Sequence, residues 1–303
     1  MRVMMRTGGI FLSGVVFLWG MSTQAFATEG CRALFYKGLV PAVSGALSHG
    51  QLLCNKAYAT LNSPMTRGPV WSAEWLVEEN LEQASRTKRE GSFYPDTRVP
   101  YGQRGELSDW EKSGWDRGHL APSGDFAGIA AQQESFALSN IVPQASALNR
   151  GAWAGIESVV RGLTYQDGEL YVVTGVLFPQ TGQKRTGRDG VMVPSALWKA
   201  VFDPVADGAA VYLCLNSNTP QCRLISLSQL QQRAGIDVFP SLPESVKTHI
   251  MAMPATGTNA YARRVRNKQS EKPGFNWNSR ETRWVLRQLR RALKQSLQSY
   301  GRG

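Results

Sequence analysis

Trp115-Asp116-Arg117-Gly118-His119-Leu120-Ala121-Pro122-Ser123-Gly124-Asp125-Phe126 places a titratable imidazole and a guanidinium two residues apart in a stretch punctuated by Gly and Pro. An imidazole can take a proton from water near neutral pH, and a guanidinium can grip an anionic oxygen. Two later stretches extend this chemistry. Ser139-Asn140-Ile141-Val142-Pro143-Gln144 is followed by Asn149-Arg150-Gly151-Ala152-Trp153-Ala154-Gly155-Ile156-Glu157, which add neutral oxygen donors and a carboxylate.

The helical pattern starting near Asn149 runs through Arg161. At 100° per residue, positions eight and twelve beyond Asn149 are rotated by roughly 80° and 120°, so Asn149, Glu157 and Arg161 fan along one side. Each residue also has an ordinary reading. Asn149 suits a helix N-cap, and Glu157 with Arg161 suits an i, i+4 ion pair on a solvated face. The alternative is a magnesium-like ion, which takes an oxygen ligand from the protein and keeps several waters, one of them within reach of a carboxylate two turns on. His49 and His249 lie outside any motif and read as surface or structural residues.

Asp116-Arg117-Gly118-His119, the Asn140 to Gln144 segment and Asn149-x-x-x-Trp153-x-x-x-Glu157, in that order, resemble the DNA/RNA non-specific endonucleases of the ββα-metal superfamily. The resemblance covers roughly residues 50–245. It implies an α+β fold in which a central antiparallel sheet is flanked by helices, with a two-stranded hairpin and the metal-bearing helix forming the site. It further implies His119 as general base, Asn149 as the direct ligand to Mg2+ or Mn2+, and Glu157 as the carboxylate reaching that ion through water. Arg117 then lies near the phosphate, Arg161 stabilises the phosphorane, and Asp116 anchors the motif loop. Arg89 matches an upstream phosphate-binding arginine, with Arg86 as its rival. DNA and RNA are the implied substrates, with 5′-phosphate products.

Around the motifs, strands are expected at Val70–Val77, half-buried, and at Leu170–Leu177, with further ones at 191–193, 197–202 and 209–215. Helices are expected near 129–138 and at 226–234, the latter capped by Ser226 and stopped by Gly235. The polar, turn-rich stretch from 80 to 114 reads as an exposed loop leading into the first motif. No repeat is visible, so solenoids and propellers are excluded.

Residues 1–27 read as a secretory signal, with Arg2 and Arg6 ahead of an apolar run from Ile10 to Trp19 and a cleavage site at Ala25-Phe26-Ala27. That run is shorter than the ~20 residues of a membrane-spanning helix. Export to the periplasm or beyond agrees with four cysteines. Cys214 and Cys222 bracket a turn composition and are expected to staple a hairpin, and Cys31 with Cys54 to tie down the N-terminal segment 28–49. Their spacings fit no common zinc pattern.

The net charge of +11 is unevenly placed. Between Val246 and Gly303 stand thirteen Lys and Arg against two Glu, whereas 28–245 carries 19 basic and 21 acidic residues, a net of −2. Within 246–303, Ser279 opens an amphipathic helix with Leu286, Leu289, Leu293 and Leu297 on one face and Arg283, Arg287, Arg290, Arg291 and Lys294 around the rest. Such a tail suits a polyanion, and the family pattern offers no counterpart for it. Two other readings use it: an exported nucleic-acid-binding protein serving DNA uptake, and a phosphodiesterase for a lipid-linked substrate with the tail on an anionic membrane.

Overall fold

A computed structural model describes residues 29–254. The signal-like segment and the basic helix expected from Ser279 lie outside the described residues. Along the chain come β1 (Gln51–Cys54), β2 (Tyr58–Ser63), β3 (Gly68–Val77) and α1 (Glu78–Arg86). They are followed by β4 (Asp116–His119), α2 (Ile129–Glu134), β5 (Ile141–Gln144), α3 (Ala154–Asp167) and β6 (Glu169–Leu177). Then come β7 (Ala196–Asp203), β8 (Gly208–Leu215), β9 (Cys222–Ile225) and α4 (Leu227–Ala234).

Seven strands form one sheet in the order β9-β8-β7-β6-β3-β2-β1, antiparallel at each pairing. The helix-and-antiparallel-sheet architecture expected from the sequence is therefore present. On one face Phe35 of the N-terminal segment and Leu230 of α4 join a core with Trp71, Ala73, Trp198 and Phe202. On the other, Ile156, Val159 and Val160 of α3 pack with Val172, Leu197 and Val201. Covering both faces buries β3 almost completely, so the half-buried strand expected at 70–77 is corrected. Its polar alternates Ser72 and Glu74 face into the protein, on the side where α3 lies.

Helix α4 follows its sequence signals closely. Ser226 Oγ accepts from the Gln229 amide while the Gln229 side chain accepts from the Ser226 amide, and Gly235 ends the helix in the left-handed region at φ 66°. Both expected disulfides form. Cys214–Cys222 joins β8 to β9, and Cys31–Cys54 ties the N-terminal segment to β1.

Two local expectations change. The stretch 80–114 begins as α1, whose Leu81 and Ala84 are buried, and later buries Val99, Asp109 and Trp110. Its polar composition hid widely spaced apolar anchors. The turn ahead of α3, Leu148–Trp153, is π-helical, so the 100°-per-residue count does not hold across it. No helix among the described residues is long and apolar enough to cross a membrane.

Candidate active site

Strands β4 and β5 pair antiparallel, Gly118 opposite Val142 and His119 opposite Ile141. The long connection between them returns over Asn140, a fully buried clamp. Asn140 Oδ1 accepts from Ser72 Oγ and the Ala121 amide, and its Nδ2 donates to the carbonyls of Ala121 and Ser135. The oxygen of Asn140 is thus consumed in holding the chain just beyond His119. The ribbon leans against α3, so hairpin and helix face one cavity of about 380 Å3. Its walls include Arg89, Arg117, His119, Asn149, Glu157 and Arg161. All six candidates converge there from a span of more than seventy residues, Arg89 to Arg161. Arg86, in the last turn of α1, does not line it among the described residues, so the cavity favours Arg89.

His119 packs in a triangle of rings with Phe93 at 5.4 Å and Phe136 at 5.0 Å, the two Phe rings themselves 5.1 Å apart. Each ring also carries a guanidinium, Arg117 over Phe93 at 5.3 Å and Arg89 over Phe136 at 5.5 Å. The loop bearing Arg89 is fixed by α2, where Gln132 accepts from the Glu90 amide and Gln133 from the Ser92 amide. Burial, reinforced by the Arg89 charge, lowers the His119 pKa to about 3. The imidazole is therefore neutral at physiological pH. Its Nε2 is buried without a partner among the described residues.

Asp116 organises the opposite wall. Its carboxylate accepts from Ser146 Oγ, Asn149 Nδ2 and both Arg150 Nε and Nη2, at 2.8 to 2.9 Å. The Arg150 hydrogen bonds lead in lowering its pKa to about 2. The N-cap reading of Asn149 is overturned, because Asn149 lies inside the helical turn and its side chain reaches across to the hairpin. Glu157 and Arg161 are not on a solvated face either. Arg161 Nη1 donates to the buried Asp125 at 2.6 Å, and burial raises the Glu157 pKa.

These donors suit a hydrated divalent cation. With Nδ2 of Asn149 engaged by Asp116, Oδ1 is the amide atom left for a ligand, and hard cations take oxygen. Among the described residues no cluster of three His, Cys, Asp or Glu could chelate a metal. An ion carrying most of its own waters, near Glu157, fits that sparse donor set.

Sequence reasoning passed over several residues of this site. Arg150 stands next to Asn149, and Asp125 lies within the first motif, so both were within reach. Phe93 is an isolated apolar residue in a polar loop, a weak signal, and Phe136 gave none.

Fold and site together define a ββα-metal nuclease. A sequence model described as DNA/RNA non-specific endonuclease matches residues 41–245, and the chain belongs to that family. The family is one of metal-dependent nucleases. The chain is 36% identical over 196 residues to the mitochondrial nuclease EXOG of Danio rerio, covering 58% of this chain and 57% of that protein. It is 34% identical over 210 residues to human mitochondrial endonuclease G, covering 63% and 70%. To the nuclease of Serratia marcescens it is 33% identical over 212 residues, covering 65% and 78%. A solved structure of an EndoG/EndoGI complex superposes with a TM-score of 0.62 at 24% identity, covering 68% of this chain and 92% of that one, a likeness of fold. The match thus spans little more than half the length of the EXOG relative.

Proposed function

We propose that this protein is an exported, divalent-metal-dependent endonuclease that hydrolyses phosphodiester bonds of DNA and RNA with little base preference. The observation that carries this reading is a single cavity joining a neutral histidine, an amide oxygen free for a hard cation, and the guanidinium groups of Arg89, Arg117, Arg150 and Arg161. Names of relatives support the same reading, and two disulfides support an oxidising compartment.

Arg89 and Arg117 bracket the scissile phosphate and neutralise its oxygens. His119, kept neutral by burial, accepts the proton of the attacking water, and its packing against Phe93 and Phe136 limits its rotation. Arg161, steered by Asp125, meets the charge developing on the phosphorane oxygens. Mg2+ or Mn2+ held at Asn149 Oδ1, with Glu157 reaching it through its hydration shell, would supply charge stabilisation at the phosphate and the departing 3′ oxygen. Cleavage on that side leaves 5′ phosphates.

Purified protein given plasmid DNA and structured RNA should cut both, stop in EDTA and resume with Mg2+ or Mn2+. His119→Ala should lose about 10²–10⁴-fold of the rate. Near-wild-type cleavage by that variant, or cleavage undiminished by EDTA, overturns the mechanism.

A further inference from the structure

Beneath the cavity, in the face of the sheet toward α3, lie two charged side chains each 1% exposed, Glu74 of β3 and Lys199 of β7. Their closest approach, Lys199 Nζ to Glu74 Oε1, is 3.8 Å, beyond hydrogen-bond length. Both Glu74 oxygens are buried without a hydrogen-bond partner among the described residues. Removing one partner of such a pair is strongly destabilising, whereas a well-packed apolar pair is often as good or better for stability. The pair is thus poorly explained as a stabilising device.

Its position is informative. Ser72, Thr174 and Lys199 form one row across β3, β6 and β7. Ser72 donates to Asn140, the clamp beyond His119. Lys199 Nζ donates to Thr174 Oγ1 at 2.5 Å and, at a long 3.5 Å, to the carbonyl of Leu120, the residue after His119. The same ammonium lies 5.8 Å from the ring centroid of Trp153, the last residue of the π-helical turn that carries Asn149. One cation thus touches both the base-bearing strand and the ligand-bearing helix. Burial, with Asp125 next, pushes the Glu74 carboxyl well above its ordinary range, and Glu157 and Arg161 also act on it, so the pair is electrically close to the site.

We propose that Lys199, backed by Glu74, is a positioning residue that sets the separation between the His119 strand and the Asn149 helix. This rests on the endonuclease reading. It predicts that Lys199→Met lowers kcat about 10–100-fold, the range for residues that orient a metal site from behind, while KM for plasmid stays within about threefold. The side-chain nitrogen resonances of His119, in 15N-histidine-labelled protein, should shift in the same variant. The double variant Glu74→Gln/Lys199→Met, which removes both charges, should recover melting temperature relative to Lys199→Met but not kcat. Should Lys199→Met fail to fold, Thr174→Val, which removes the partner of Lys199 at similar volume, should still move the His119 resonances and lower kcat by about three- to tenfold. Unmoved resonances with kcat within twofold, or a double variant that regains kcat along with stability, overturn the proposal. An inactive wild type overturns the endonuclease reading instead, and the resonance shifts then still decide the positioning role.

Discussion

His119 holds its proton far less readily in the folded protein than in the unfolded chain. As pH falls through 6.5 the unfolded chain takes up a proton at this position, while the folded protein resists until about 3. The group therefore lowers stability progressively across that window and leaves it untouched above. Urea unfolding at about pH 7 and about pH 5 should accordingly show a smaller acid loss for His119→Ala than for wild type. Equal losses would mean that the imidazole is not held neutral by its surroundings. Asp116 titrates in a lower window. Its contribution is present above 3.8 and lost as pH falls through about 2. Because Arg150 is 75% exposed, that ion pair contributes little stability in water. The importance of Asp116 lies in orienting Asn149, so Asp116→Asn should keep its melting temperature within a few degrees while activity and apparent metal affinity fall about 10–100-fold. A metal titration of cleavage checks this.

At the scale of elements, the hairpin and the helix were legible to different degrees. The Asp116 to His119 stretch was read as one side of a site, and its Arg117 and His119 line the cavity. What Gly118 does there is decided by the paired strand, because a Cβ at this position would lie 2.1 Å from Gln144 Oε1 and 2.6 Å from Gln144 Cβ. Gly118→Ala should cost about 1–3 kcal/mol by overpacking and displace His119. Gly151→Ala, where nothing lies within 4 Å, should be neutral or slightly stabilising. Thermal melts of the two variants separate these outcomes. The π-helical entry to α3 escaped the sequence, since periodicity assumes 3.6 residues per turn throughout. The disulfides were legible from spacing and turn composition. Replacing Cys214 and Cys222 by Ser should cost about 2–3 kcal/mol, and replacing Cys31 and Cys54 about 3–4, because the longer loop restricts the unfolded chain more.

Over the whole molecule, charge is distributed in two parts. Residues 28–245 carry a net of −2, and of the four arginines that line the cavity Arg150 and Arg161 are paired with Asp116 and Asp125, which leaves Arg89 and Arg117 to meet a phosphate. We propose that the basic segment beyond 246 supplies the long-range attraction. Deleting 279–303 should flatten the salt dependence of cleavage of long DNA while leaving the rate on short oligonucleotides nearly unchanged, since affinity falls with salt in proportion to the phosphates neutralised. Unchanged salt dependence of the truncated protein would sink that role. By itself the sequence determined the family, the catalytic candidates, the cysteine pairing and most strands. These depend on residue type and on spacing along the chain, which local chemistry and short-range periodicity express directly. Only the tertiary structure decided that Arg89 rather than Arg86 reaches the cavity, that Asn149 is steered by Asp116 and Arg161 by Asp125, and that Glu74 and Lys199 lie beneath the site. Those relations join residues dozens of positions apart, and they exist only once the hairpin, its loops and the helix pack together over the covered sheet.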